Sequence, residues 1–113
     1  MLLIFKGGWR NNKRNGQGTL WVKDKKKKLK RKYTGDWIND KKYGRGTMYF
    51  DNDDRYDGLW EDDLPHGDGR MIYANGDVYE GQWYLGKRNG YGVLTKRNGD
   101  HFEGRWVNDK REG

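Results

Sequence analysis

His66 and His101 are the only imidazoles in this chain of 113 residues, and it has no cysteine. Thiolate nucleophiles, disulfides and thiolate metal sites are thereby excluded. No nucleophile is paired with a base, and no metal-ligand spacing occurs. Gly-x-Gly pairs recur at Gly16/Gly18, Gly44/Gly46, Gly67/Gly69 and Gly90/Gly92, but no lysine follows them as in a phosphate-cradling loop. What does recur at fixed spacing is large rings, bare glycines and basic pairs. Their chemistry is recognition: ring contacts, close backbone approach and attraction of anions. The expectation is a protein without enzyme activity, with no catalytic residue, cofactor or metal site.

A repeat sets this spacing. YEGQW at Tyr79–Trp83 is followed by GKRNGYG at Gly86–Gly92. Moved back 23 residues the unit reads YDGLW at Tyr56–Trp60, with HGDG at His66–Gly69. Another 23 back it reads YTGDW at Tyr33–Trp37, with YGRG at Tyr43–Gly46. FEGRW at Phe102–Trp106 lies one step forward, and FKGGW at Phe5–Trp9 lies 28 residues before Tyr33. One array over 1–113 results, with units 5–22, 33–50, 56–73 and 79–96, a partial unit 102–113, and an insertion at 23–32.

Each unit has the marks of a β-hairpin. In Tyr79–Trp83 the side chains alternate, with Tyr, Gly and Trp on one face and Glu and Gln on the other. Asn11-Asn12, Asn39-Asp40, Asp62-Asp63, Leu85-Gly86 and Asn108-Asp109 follow as turns, most of them of types that tolerate positive φ. Asn75-Gly76-Asp77 and Asn98-Gly99-Asp100 supply the return turns. The predicted fold is all-β: an elongated, twisted, single-layer antiparallel sheet of tandem hairpins, advancing about 10 Å per repeat. It has an aromatic face and a polar face. Glycine weakens a strand unless something approaches its backbone closely. The alternation therefore predicts rings lying over glycines and stacking on rings of neighbouring repeats. Phe102–Trp106 should leave an open edge, a site for pairing or a dimer through Phe102–Gly113.

Leu, Ile, Val and Phe total only 18 residues and 36 % of the chain is charged, a composition that ordinarily argues disorder. Six Trp, eight Tyr and three Phe overturn that, because five of the six Trp fall in register. Segment 23–32 (KDKKKKLKRK) carries eight basic residues and one Asp, a net +7 equal to that of the whole chain. The repeat body is neutral. Met1–Phe5 is too short an apolar run for a signal peptide or a span, so a soluble, cytoplasmic or cytoskeletal protein is expected.

Three surfaces are candidates for binding. The first is the aromatic and glycine face, formed by Tyr33, Gly35, Trp37, Gly44, Gly46, Tyr56, Gly58, Trp60, Gly67, Gly69, Tyr79, Gly81, Trp83, Gly90 and Gly92. It serves as core and, where exposed, as a groove for partner proteins. The second is the insertion, with Lys25, Lys26, Lys27, Lys28, Lys30, Arg31 and Lys32. It would bind anionic lipid headgroups or acidic tubulin tails, with nucleic acid least favoured, or else stand as a solvated, self-repelling loop. The third is a basic ridge along one edge, from Lys13-Arg14, Lys41-Lys42, Lys87-Arg88 and Lys110-Arg111, broken at Leu64-Pro65, or else simply exposed hairpin tips kept soluble by charge.

These units resemble MORN repeats, whose pattern is close to YEGxWxxGxxHGxG, with Tyr56–Gly69 and Tyr79–Gly92 fitting best. The resemblance covers Phe5–Gly113 and implies an elongated hairpin sheet acting as a scaffold and interaction module. His66 then sits where the pattern itself favours His. The long first unit, together with GRMIYANGDVYEGQW at Gly69–Trp83, is similar to family members of cilia and sperm flagella. That similarity implies a place on the axoneme, with axonemal proteins and doublet microtubules as partners. The alternative is a peripheral membrane protein that holds anionic lipid through the insertion and links membrane to cytoskeleton.

Overall fold

Asn-Asn, Asn-Asp and Asp-Asp pairs at the hairpin tips adopt positive φ at both residues, from 48° to 71°. That is the backbone of a type I′ turn, whose twist matches the strands it joins. Leu85 is the exception in residue type, held at φ 46° with Gly86 at 87°. The computed structural model describes residues 2–23, 25–26 and 28–112. They form one antiparallel sheet of ten strands in chain order: β1 Leu2–Arg10, β2 Lys13–Lys23, β3 Leu29–Ile38, β4 Lys41–Tyr49, β5 Arg55–Glu61, β6 Leu64–Ile72, β7 Val78–Tyr84, β8 Lys87–Thr95, β9 His101–Val107 and β10 Lys110–Arg111.

Ten strands make nine spacings of about 4.8 Å, about 43 Å in all, and the molecule measures 47 × 32 × 16 Å. Its radius of gyration is 15.5 Å, against about 13 Å for a compact domain of this length. One sheet thick, it has no second layer to bury rings against. The chain solves this within the sheet.

Register explains how. Gly7, Gly18, Gly35, Gly46, Gly58, Gly69, Gly81, Gly92 and Gly104 pair with one another in unbroken succession from β1 to β9. Beside this glycine row runs a row of alternating bulk: Phe5, Leu20, Tyr33, Met48, Tyr56, Met71, Tyr79, Leu94 and Phe102. The Tyr33, Tyr56 and Tyr79 rings lie over Gly46, Gly69 and Gly92, where any Cβ would collide with them. All three tyrosines are fully buried.

Two parts of the expectation need correction. The rings do not stack: Tyr33–Trp60, Tyr56–Trp83 and Tyr79–Trp106 meet edge to face, with planes at 85–87° and centroids 5.4–5.5 Å apart. Edge-on contact sets the positive rim of one ring against the negative face of the next. The first glycine of each Gly-x-Gly pair also misses the aromatic face. A Cβ on Gly44, Gly67 or Gly90 would meet the Asp36, Leu59 or Gln82 side chain. Three residues of β4 (43–45) stand opposite the one residue of β3 between Gly35 and Trp37. Gly44 takes φ 67° inside this bulge, a conformation that glycine adopts freely.

Burial has a consequence for alkaline stability. Loss of water around the ring raises the Tyr79 pKa to about 12, and burial also raises those of Tyr33 and Tyr56. A raised native pKa gives stability that is whole below the unfolded value of 10.0 and disappears as pH climbs through the native one. Followed by tyrosinate absorbance, these three rings should ionise only with loss of the β-sheet circular dichroism. Early ionisation in a folded sheet would contradict their burial.

Candidate functional site

Four of the five tryptophans in register reach back into the preceding repeat. The Trp37, Trp60, Trp83 and Trp106 indole N–H groups donate to the carbonyls of Gly18, Gly46, Gly69 and Gly92, at 3.1, 2.9, 3.2 and 3.3 Å. The leading tyrosine of each inner repeat donates its hydroxyl forward to a backbone carbonyl of its own repeat, Tyr33 to that of Asp36, Tyr56 to that of Leu59 and Tyr79 to that of Gln82. Phe5 and Phe102 lack that hydroxyl, so the first and last repeats forgo the bond. Edge contacts join Trp9, Phe5, Trp37, Tyr33, Trp60, Tyr56, Trp83, Tyr79 and Trp106 into one zigzag.

This zigzag is a core and not a groove. Trp37, Trp60, Trp83 and Trp106 are at most 5 % exposed, so these rings and those of Tyr33, Tyr56 and Tyr79 are not open to a partner. Gly46, Gly58 and Gly92 are buried, and Gly35, Gly44, Gly67, Gly69, Gly81 and Gly90 are half-buried. The sequence pattern locates the residues but not their coverage, which for Tyr33, Trp37, Trp60, Tyr79 and Trp106 includes a cation above the ring.

Those cations correct the expected ridge. Lys13, Lys41, Lys87 and Lys110 are exposed, but the second member of each pair folds inward. The Arg14 guanidinium lies 4.4 Å from the Trp37 centroid and 5.7 Å from Phe5. Arg88 repeats this over Trp106 at 4.7 Å and Tyr79 at 5.7 Å, and Lys42 stands over Tyr33 and Trp60 at 5.6 and 5.7 Å. Arg111 covers Phe102 at 3.9 Å. Burial lowers the Lys42 pKa, against the pull of Asp63.

An aspartate in the next hairpin turn fixes three of these cations. Asp40, Asp63 and Asp109 accept the backbone N–H of Arg14, Lys42 and Arg88 at 2.7–2.8 Å. The exception follows the same logic. Pro65 replaces the cation and has no N–H to give, and in the following turn Gly86 replaces the aspartate. The joint there is held by Gly86 N–H to the Pro65 carbonyl and by Leu85 N–H to His66 Nδ1. His66 also meets Glu61 at 3.2 Å, a structural role. Among the described residues no group of three His, Asp or Glu side chains is placed to hold a metal.

The clamp gives a pH dependence with a definite sign. The Arg14 N–H, and after it the guanidinium, hold the Asp40 carboxyl below its usual 3.8. A depressed native pKa contributes stability above the unfolded value, which is lost as pH falls through the native one. The urea midpoint should therefore drop on acidification, and drop less in Asp40→Asn, whose amide oxygen still accepts the bond without titrating. Equal drops in both proteins would contradict the clamp.

The basic insertion is only partly a loop. Lys23 ends β2 and Leu29–Lys32 begin β3, with Lys23 opposite Leu29, Val22 opposite Lys30 and Trp21 opposite Arg31. The hairpin simply grows longer, because alternate cations on an extended backbone face opposite ways. Lys25, Lys26 and Lys28 lie in the connection, while Lys27 falls outside the described residues. Lys32 is the extra residue where the register shifts between Leu20 and Trp21.

The sheet face expected to be polar also carries apolar residues. Ile4, Trp21, Tyr49, Ile72 and Val78 are half-buried on it. Trp21, the one tryptophan out of register, is the mark of this second apolar set in the sequence.

The sequence model of the MORN repeat matches residues 5–25, 33–55, 56–78, 79–101 and 102–113. No curated protein matches the chain. MORN repeats are non-catalytic modules that generally bind proteins or membranes. The matches fall on the paired glycines, caged tyrosines and bridging tryptophans that build this sheet, and they cover nearly the whole sequence: the chain belongs to the MORN repeat family.

Proposed function

We propose that the protein is a non-catalytic scaffold of the ciliary or flagellar axoneme, held on doublet microtubules by its basic hairpin and binding axonemal proteins along the sheet. The observation that carries this reading is the placement of charge. The entire net +7 sits in segment 23–32 at one corner of a stiff and otherwise neutral sheet. Lys25, Lys26 and Lys28 lie in a short connection tied at both ends by the paired strands β2 and β3, so they lose less freedom on meeting an acidic surface than cations on a loose tail. The similarity of the long first unit and of Gly69–Trp83 to ciliary and flagellar family members favours the axoneme among acidic surfaces. Cosedimentation with microtubules at rising salt tests this, with microtubules stripped of their acidic tails as the control. Pelleting should be salt-sensitive and should fail after stripping or after Lys25, Lys26 and Lys28→Gln. A tagged chain should mark axonemes in ciliated cells. Absence of pelleting at low salt, or a diffuse signal, would overturn the proposal.

One observation favours a second reading, a peripheral protein on anionic membrane. Leu2 and Leu29 flank Lys23 in a row across β1, β2 and β3, and they are 53 % and 52 % exposed. Leucines beside lysines suit the boundary between headgroups and acyl chains. Pelleting with phosphatidylserine vesicles but not with microtubules, lost in Leu29→Ser, would establish this reading over the first.

A further inference from the structure

Trp21 plays no part in the aromatic zigzag, and pairing places it on the opposite face of the sheet. There it belongs to a row that runs across the strands. Ile4 stands opposite Trp21, Trp21 opposite Arg31, Tyr49 opposite Arg55, Arg55 opposite Ile72, and Ile72 opposite Val78. The Arg31 and Arg55 guanidinium carbons lie 5.6 and 5.4 Å from the Tyr49 ring centroid, so two cations bracket one phenol. β3 and β4 pair only as far as Tyr33 and Met48. Beyond that point a cleft of about 420 Å³ opens, lined by Arg31, Tyr49, Phe50, Asp51 and Asp53 among others.

We propose that this row and cleft bind an extended acidic peptide segment of a partner protein, with its carboxylates on Arg31 and Arg55 and its apolar side chains on Trp21 and Ile72. From Trp21 to Ile72 the row crosses four strand spacings, about 19 Å, the reach of about six extended residues. Its order is apolar, cation, phenol, cation, apolar. Guanidinium forks match carboxylate geometry, and both guanidinium groups lie within cation–π reach of Tyr49. The cleft sets Lys30, Arg31 and Lys32 beside Asp51 and Asp53, and Asp57 lies 3.1 Å from Arg55, so cations and carboxylates alternate over the site. These carboxylates repel a continuous phosphate chain but leave space for separated acidic residues. A bilayer would meet the hairpin end with Leu2 and Leu29, not a row crossing the sheet. The site rests on the scaffold reading, but on neither the tubulin nor the lipid reading of segment 23–32.

The test is a titration of the isotope-labelled full chain with a synthetic peptide in which two central glutamates are flanked by leucines. An all-glutamate peptide of equal length, a single-stranded oligonucleotide and phosphatidylserine vesicles are the competitors. The mixed peptide should shift the Trp21 indole, Tyr49 and Ile72 resonances. Arg31→Gln with Arg55→Gln should weaken it about ten-fold or more. Lys25, Lys26 and Lys28→Gln should weaken it less than about three-fold. Shifts confined to the basic connection would overturn the proposal, as would equal affinity for the all-glutamate peptide. Stronger occupancy of the row by oligonucleotide or vesicles would overturn it too. Because the arginine pair and the lysine set are changed separately, failure of this site is distinguishable from failure of microtubule or membrane binding.

Discussion

Gly46→Ala should cost at least about 4 kcal/mol, enough to leave a marginally stable sheet largely unfolded. The reason is steric and local. Gly46 is buried, and its new Cβ would land on the Tyr33 hydroxyl and ring carbons. Tyr33 cannot yield, because it is fully buried and its hydroxyl is bonded to the Asp36 carbonyl at 3.0 Å. Trp37 and Trp60 hold its ring at 4.9 and 5.5 Å. Ordinary overpacking costs about 1–3 kcal/mol because neighbours move aside; here there is no direction in which to move. Gly46 is not among the residues of positive φ, so backbone conformation adds nothing to the penalty. Gly99→Ala separates the two effects. It sits at φ 98° with no atom within 4 Å of its Cβ, and it should cost only about 1–2 kcal/mol of backbone strain. Urea unfolding of both variants measures the difference, and near-equal losses would show that the ring does not occupy the space over Gly46.

Trp60→Ala should cost about 4–5 kcal/mol, whereas Trp9→Ala should cost less than about 1.5 kcal/mol. Trp60 is 4 % exposed, and its centroid lies 5.5 Å from Tyr33 in one repeat and 5.1 Å from Tyr56 in its own. Its indole also donates to the Gly46 carbonyl, so truncation leaves a buried acceptor unpaired as well as a void. Trp9 occupies the same place in the repeat pattern but is 59 % exposed and meets only Phe5 among the rings. Position in the array, not residue type, decides the effect. Repeat stability is a sum of unit and neighbour terms, so an interior tryptophan removes two neighbour terms at once. Trp60→Phe should fall between the two, since it keeps a ring but loses the donor. Thermal unfolding of the three variants checks the order.

Hairpins, turns and the glycine–aromatic face were legible because each leaves a mark of fixed period. Asn39-Asp40 shows its turn type in its residues, and Gly46 shows by its position that something must lie against it. Trp37 and Tyr33 could be placed on one face by alternation alone. Their closure was not legible, because Arg14 and Lys42 look like any exposed basic residue near a turn. Only the register shifts between Gly7 and Trp9 and between Gly35 and Trp37 turn them onto the rings. The aspartate clamp is written in the sequence as a correlated exchange: Pro65 appears where the following turn has Gly86 in place of aspartate. That link becomes readable only once strand pairing shows that a turn bonds to the repeat before it. The row from Trp21 to Ile72 was hidden for a similar reason. Its members, one from each of five successive strands, recur at no fixed spacing, and the bulge at Lys32 shifts their register.

The central claim is that indole N–H groups bolt each repeat to the backbone of the one before it, over a continuous row of glycines. Hydrogen exchange of the indole protons under native conditions tests it most directly. The Trp37, Trp60 and Trp83 protons should exchange only through global opening, with closely matched protection, while the Trp9 proton exchanges freely. Exchange at Trp60 as fast as at Trp9 would contradict the account.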